Sequence, residues 1–262
     1  MDISCVLEYL RYKIFARHSR GHGIHSPFVF RLVSEVFRNK NKPDIVSSIE
    51  KTRKRMLADT RSIKVTDLGA GSGKMKSSVR KVSDIARYSS VPPKYGKLLA
   101  SMASAYGRPA ILEFGTSLGI SAMYMAASCP GTELITMEGC PETSGIAAEN
   151  FSLSGLNNIT LLTGSFDELL PGIKSKGVSP GMVFIDGNHR REPLLNYFSQ
   201  VADISGPDTV VIIDDIHITK EMSEAWREIK RHEKVSLSVD IFRMGMVFFR
   251  KGMPRYDYII RY

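Results

Sequence analysis

Apolar and polar positions along this chain follow two different periods, and the change falls near residue 91. Between Ile3 and Phe15 apolar side chains recur at the spacing of one helix face. Ser26-Pro27 then supplies a capping hydroxyl and a proline at the first helical position, so FVFRLVSEVF (28–37) reads as an amphipathic helix. A third helix is expected over about Pro43 to Leu57. The loop RGHGIHSPF (20–28), freed by its glycines, presents His22 and His25.

From Val91-Pro92-Pro93 onward short apolar runs alternate with helical patterns, the signature of a mainly parallel sheet covered on both faces. Strands are expected at 110–114, 133–138, 159–164, 181–187 and 209–215, with helices at 119–128, 141–155, 166–173, 191–204 and 220–233. Two further apolar stretches, 235–242 and 244–251, are separated by Arg243 alone, a link so short that it implies an antiparallel pair. The chain thus divides into a mainly helical region over 1–90 and an alternating α/β domain over 91–262.

Composition adds a polarity to this division. Residues 1–90 hold 19 Lys and Arg against 8 Asp and Glu, a net +11, whereas residues 91–262 hold 17 against 19, a net −2. Such a basic segment attracts nucleic acid, an acidic protein or an anionic substrate, or simply keeps the surface solvated. It carries no aromatic-interleaved basic motif of a nucleic-acid module. Cys5, Cys129 and Cys140 show no metal spacing and read as free thiols. No apolar run approaches the roughly 20 residues of a membrane span. Asp2, Glu8, Arg11 and Lys13 interrupt the amino terminus where a signal peptide is apolar, so the expected location is cytoplasmic.

Two glycine-rich segments compete as a cofactor loop. VTDLGAGSGK (65–74) lacks the second acid-tipped strand that should follow, and it lacks the phosphate-loop glycine, because Leu68 stands five residues before Gly73. It is expected to be a structural turn. ILEFGTSLGISAMYMA (111–126) has the right context on both sides. Gly115 and Gly119 let backbone pass close to a ligand, Thr116 and Ser117 line the loop, and the following helix points free N–H groups at it. Thr116-Ser117-Leu118 does not supply the GxGxxG spacing of a dinucleotide site, whereas the methionine part of S-adenosylmethionine (SAM) fits the space, with Glu113 suited to its amino group. Glu138 ends the next strand some 20 residues on, where a carboxylate accepts both ribose hydroxyls, and Gly139 keeps the approach open. Gly164, Ser165 and Phe166 follow the third strand and are placed to frame an adenine.

These motifs resemble the catechol O-methyltransferase group of class I SAM-dependent methyltransferases over Lys94 to about Asp215, and less closely the macrocin-type sugar O-methyltransferases. Glu-Phe-Gly-Thr-Ser-Leu-Gly matches the first SAM motif of that group, Met137-Glu138 its ribose motif and TGSFDELLP its adenine segment. The resemblance implies a Rossmann-like α/β fold with a seven-stranded, mostly parallel sheet of order 3-2-1-4-5-7-6, an antiparallel last strand and a helical amino-terminal cap. It also implies SAM as cofactor and, as in many members, a divalent cation such as Mg2+ on the substrate oxygens. Asp186, Asp214 and Asp215 are the corresponding oxygen donors, with Asp186 also beside the cofactor. This chain has Asp214-Asp215 where the group usually has Asp-Asn, and His189 where catechol-type enzymes carry the lysine that takes the substrate proton.

The expected activity is therefore O-methylation of a small hydroxylated or acidic molecule, with a homodimer suggested by the family. The competing reading is a nucleic-acid- or partner-binding protein built on a methyltransferase-like scaffold with its basic segment as the binding surface.

Overall fold

The computed structural model describes residues 3–17, 24–39, 43–66, 77–252 and 254–262. His22 and residues 67–76 of the first glycine-rich segment lie outside them. The chain forms two compact units, residues 1–39 with 179–262, and residues 40–178.

The first unit opens with α1 (Ile3–Phe15) and α2 (Pro27–Arg31), whose cap is Ser26, its Oγ accepting from Val29 N. The helix expected over 28–37 does not continue as α-helix. It widens into a π-helical turn over Leu32–Val36.

The second unit contains α3 (Pro43–Leu57), β1 (Ser62–Lys64), β2 (Val79–Lys81), α4 (Val82–Tyr88) and α5 (Pro93–Tyr106). It continues with β3 (Ala110–Phe114), α6 (Ile120–Ser128), β4 (Glu133–Glu138), α7 (Pro141–Leu153), β5 (Ile159–Thr163) and α8 (Phe166–Ser175). Strands β3, β4 and β5 pair in parallel in that order. Every residue of β3 is buried, which explains its unbroken apolar run around the single acid Glu113. The ribbon β1-β2 is antiparallel and was not legible in the sequence, because three-residue strands rich in Lys and Arg are too short to show a period. Helix α3 docks within this unit through Tyr124, whose hydroxyl donates to Glu50 (2.8 Å), and through Arg55, which donates to Asn150 (2.8 Å).

The first unit resumes with β6 (Met182–Ile185), α9 (Arg191–Ile204), β7 (Val210–Ile213), α10 (Lys220–Ile229), β8 (Leu237–Asp240), β9 (Gly245–Phe248) and β10 (Tyr256–Ile259). Strand β6 pairs with β7 in parallel, β9 runs antiparallel to both β7 and β8, and β10 lies parallel to β8. The local orders 3-2-1 and 4-5-7-6 of the expected topology are thus present. Strand β10 is an addition to the seven strands expected, held partly by Ser238 Oγ donating to Asp257. Among the described residues no helix is long and apolar enough to cross a membrane.

Candidate active site

The loop between β3 and α6 is held in a shape only its sequence permits. Gly115 (φ +96°), Ser117 (φ +50°) and Gly119 (φ +87°) all adopt positive φ. At Gly119 a Cβ would lie 2.5 Å from the Phe151 ring. Backbone N–H groups of Gly115 and Thr116 donate to Met137 O at the end of β4, and Asn150 Nδ2 donates to Leu118 O (2.9 Å).

Glu138 closes the loop from the side. Its Oε2 accepts from Ser117 N (2.7 Å) and its Oε1 from Cys140 N (2.9 Å) and Thr143 Oγ1 (3.3 Å), while the residue remains half-buried. Thr143 Oγ1 has one proton to give and lies nearer Cys140 O (3.0 Å), so about two of the carboxylate's four acceptor sites remain for a diol on the open side. Gly139 is also half-buried, and Gly164 N donates to Glu138 O (2.9 Å), which brings the ends of β4 and β5 together. Ser165 caps α8 in a reciprocal capping box with Glu168, and Phe166 packs edge-on to Phe114 with ring centres 5.3 Å apart. The expected adenine-framing pair therefore stands beside the loop, with the serine also serving as a helix cap.

Glu113 has no exposure, and a hydroxyl relay serves it that the sequence reading missed. Thr136 Oγ1 donates to Glu113 Oε2 (2.6 Å) and is itself 2.6 Å from Thr116 Oγ1, whereas Glu113 Oε1 has no hydrogen-bond partner. The visible signal was a threonine inside an otherwise apolar strand. Burial pushes the Glu113 carboxyl up to about 7, against the opposing pull of the Ser121 and Thr136 hydroxyls.

The folded state therefore binds a proton that the unfolded chain releases near its ordinary value of 4.5. The stabilising contribution is full below that value and is lost as pH rises towards 7, reaching about 3 kcal/mol. Thermal unfolding of the ligand-free protein should show this decline from pH 4.5 to 7, and Glu113→Gln should flatten it. An unchanged slope in Glu113→Gln would show that the decline has another source.

The expected metal ligands lie in the first unit, after β6 and β7. There the cation is a side chain. Arg243 Nε and Nη2 donate to Asp214 Oδ1 (3.0 Å) and Oδ2 (2.7 Å), and Nη2 lies 3.6 Å from Asp215 Oδ1. Asp214 is fully buried, so this two-point pair supplies its charge compensation. Asp215 (φ +52°) has its carboxyl raised by burial and by Asp214, with Arg243 and His189 pulling it back. Asp186 Oδ1 lies 3.5 Å from His189 Nε2, so these two predicted site residues lie together, as a pair the sequence does not indicate. Among the described residues no group of three or more His, Cys, Asp or Glu is arranged to hold a metal ion. The residues as arranged do not fit the expected divalent cation, because Asp214 is fully buried and the Arg243 guanidinium already stands between its carboxylate and that of Asp215. In the sequence Arg243 is visible only as the link between two apolar stretches. Its signal was a lone charge between two apolar strands.

Fold and loop resemble those of class I SAM-dependent methyltransferases. Residues 112–216 match the family model described as a methyltransferase domain. The chain is 33% identical over 130 residues to a catechol O-methyltransferase of Niastella koreensis, covering 48% of this chain and 58% of that one. It is 28% identical over 146 residues to the O-methyltransferase imqG of Aspergillus flavus, covering 53% and 57%. The chain thus spans a little over half the length of these two curated relatives. Among solved structures it is similar to the O-methyltransferase TomG of Streptomyces achromogenes in complex with SAM, at TM-score 0.57 and 18% identity, covering 81% of this chain and 92% of that one. It is also similar to a Bacillus cereus O-methyltransferase in complex with SAH, at TM-score 0.56 and 20% identity over 84% and 97%. These likenesses establish the Rossmann-like methyltransferase fold.

Proposed function

We propose that this protein is a SAM-dependent O-methyltransferase acting on a small hydroxylated or acidic molecule. The observation that carries the reading is the Glu138 carboxylate, pinned to the glycine loop by Ser117 N–H at 2.7 Å and still half-exposed. SAM would place its ribose on Glu138, its methionine part along Gly115 to Gly119 near buried Glu113, and its adenine by Ser165 and Phe166. The relatives named as O-methyltransferases and the SAM-bound and SAH-bound structural neighbours support an oxygen acceptor. SAM supplies an electrophilic methyl group on a sulfonium. The protein's part is to align that group with an acceptor oxygen and remove a proton. His189, paired with Asp186, is the base in this reading, and the basic segment of residues 1–90 contributes to acceptor selection.

Calorimetry with SAM and its demethylated product tests the cofactor assignment. Loss of a carboxylate that accepts from two ribose hydroxyls in Glu138→Ala should remove about 1.5–3 kcal/mol, roughly a tenfold to hundredfold weaker Kd. Glu138→Gln keeps the length and should fall between. Wild-type affinity in Glu138→Ala would remove the ribose assignment.

A further inference from the structure

The carboxylates that the family resemblance assigns to a divalent ion are held by a cation of the chain itself, and that cation's place is built by several independent contacts. Arg243 sits on the turn between β8 and β9. The turn is locked by Asp240, whose Oδ1 accepts from Phe242 N (2.8 Å) while its Oδ2 accepts from Trp226 Nε1 (3.1 Å) and pairs with His217 Nε2 (2.9 Å). Phe242, at φ +72°, is packed against the rings of Tyr9 and Tyr12 from α1. Arg243 O accepts from Ile216 N (3.2 Å), directly after the two aspartates it serves. Gly245 follows because a Cβ there would meet the Trp226 ring at 2.7 Å. Backbone and side chain of Arg243 are therefore both tied to the segment Asp214–Ile216.

We infer that Arg243 is the resident cation of this corner, standing in place of a divalent metal, and that Asp186, Asp214 and Asp215 take up no metal while it is present. The guanidinium takes one lone pair of each Asp214 oxygen, its Nη2 also faces Asp215 Oδ1 at 3.6 Å, and a second cation wedged between these carboxylates would meet direct repulsion. Unlike a metal, a guanidinium offers fixed N–H donors and no open coordination position. Resting on the proposed methyl transfer, this makes the reaction independent of divalent ions, with proton removal left to a protein side chain.

The test is Mn2+ titrated into the full chain and followed by electron paramagnetic resonance, with SAM calorimetry in parallel. Wild type should leave the aqueous Mn2+ signal undiminished. Arg243→Ala should take up Mn2+ at least about tenfold more tightly, and Asp214→Asn added to it should abolish the uptake. Arg243→Lys, which keeps the charge, should remain metal-free. Saturable uptake by wild type that Asp214→Asn removes would overturn the inference, as would folded Arg243→Ala that binds no Mn2+. If Arg243→Ala does not fold because Asp214 is left buried without a partner, the wild-type titration still decides. The SAM result reads the loop of the second unit, so failure of the cofactor assignment and failure of this inference are separately visible.

Discussion

Gly119→Val should abolish measurable SAM binding, while Gly71→Ala and Gly73→Ala should leave it within about threefold of wild type. Gly119 occupies the left-handed region at φ +87°, and its missing Cβ faces the Phe151 ring at 2.5 and 2.8 Å and the Ala147 Cβ at 3.5 Å. A branched side chain there meets backbone strain of about 1–2 kcal/mol and a packed aromatic ring that costs about 1–3 kcal/mol more to displace. The strain is relieved by moving the start of α6, and with it Leu118 O and Ser117 N, the groups held by Asn150 and Glu138. Calorimetry with SAM reads the affinity, and far-ultraviolet circular dichroism confirms that the variant is folded. Gly119→Ala carries the same φ penalty with less bulk and should lie between. Normal binding by folded Gly119→Val, or loss of binding in the Gly71 or Gly73 variants, would move the cofactor to the other glycine segment.

His189→Ala should lower kcat by about 10²- to 10⁴-fold once an acceptor is in hand, with SAM affinity nearly unchanged. The imidazole Nε2 lies 3.5 Å from Asp186 Oδ1, and its side chain remains 30% exposed, so it is oriented by a carboxylate and still open to solvent. Asp186 then acts as a positioning residue, and Asp186→Asn should reduce kcat less than removal of the ring does. Histidine is the side chain whose ordinary titration range lies nearest neutrality, which suits a base working at neutral pH. Because Arg243 provides the local positive charge, dialysis against EDTA should leave turnover unaltered. Full activity of His189→Ala across pH 6 to 8 would remove the base assignment.

The sheet strands from β3 to β9 were legible because their apolar runs are long enough to show a period. So were the loop glycines, since close backbone approach and positive φ restrict those positions to few residue types. Glu113 and Glu138 were legible for a related reason, being acids at the inner ends of apolar strands. The ribbon β1-β2 and the edge strand β10 were not, because three or four residues with charged or polar members carry no clear alternation, and pairing partners distant in sequence decide their state. The relay Thr116–Thr136–Glu113 has the same origin: it joins neighbouring parallel strands, and sequence spacing does not state their register.

The fold class, the glycine loop after β3 and the acidic residues at the strand ends can all be read from local residue patterns. What those acids hold depends on contacts between distant segments. Asp214 and Arg243 are 29 positions apart, and nothing local connects them. The antiparallel return of β9 along β7 and the Asp240-locked turn bring the guanidinium onto the buried carboxylate. A buried charge must be compensated by whichever cation the fold delivers. Here that cation is covalently part of the chain.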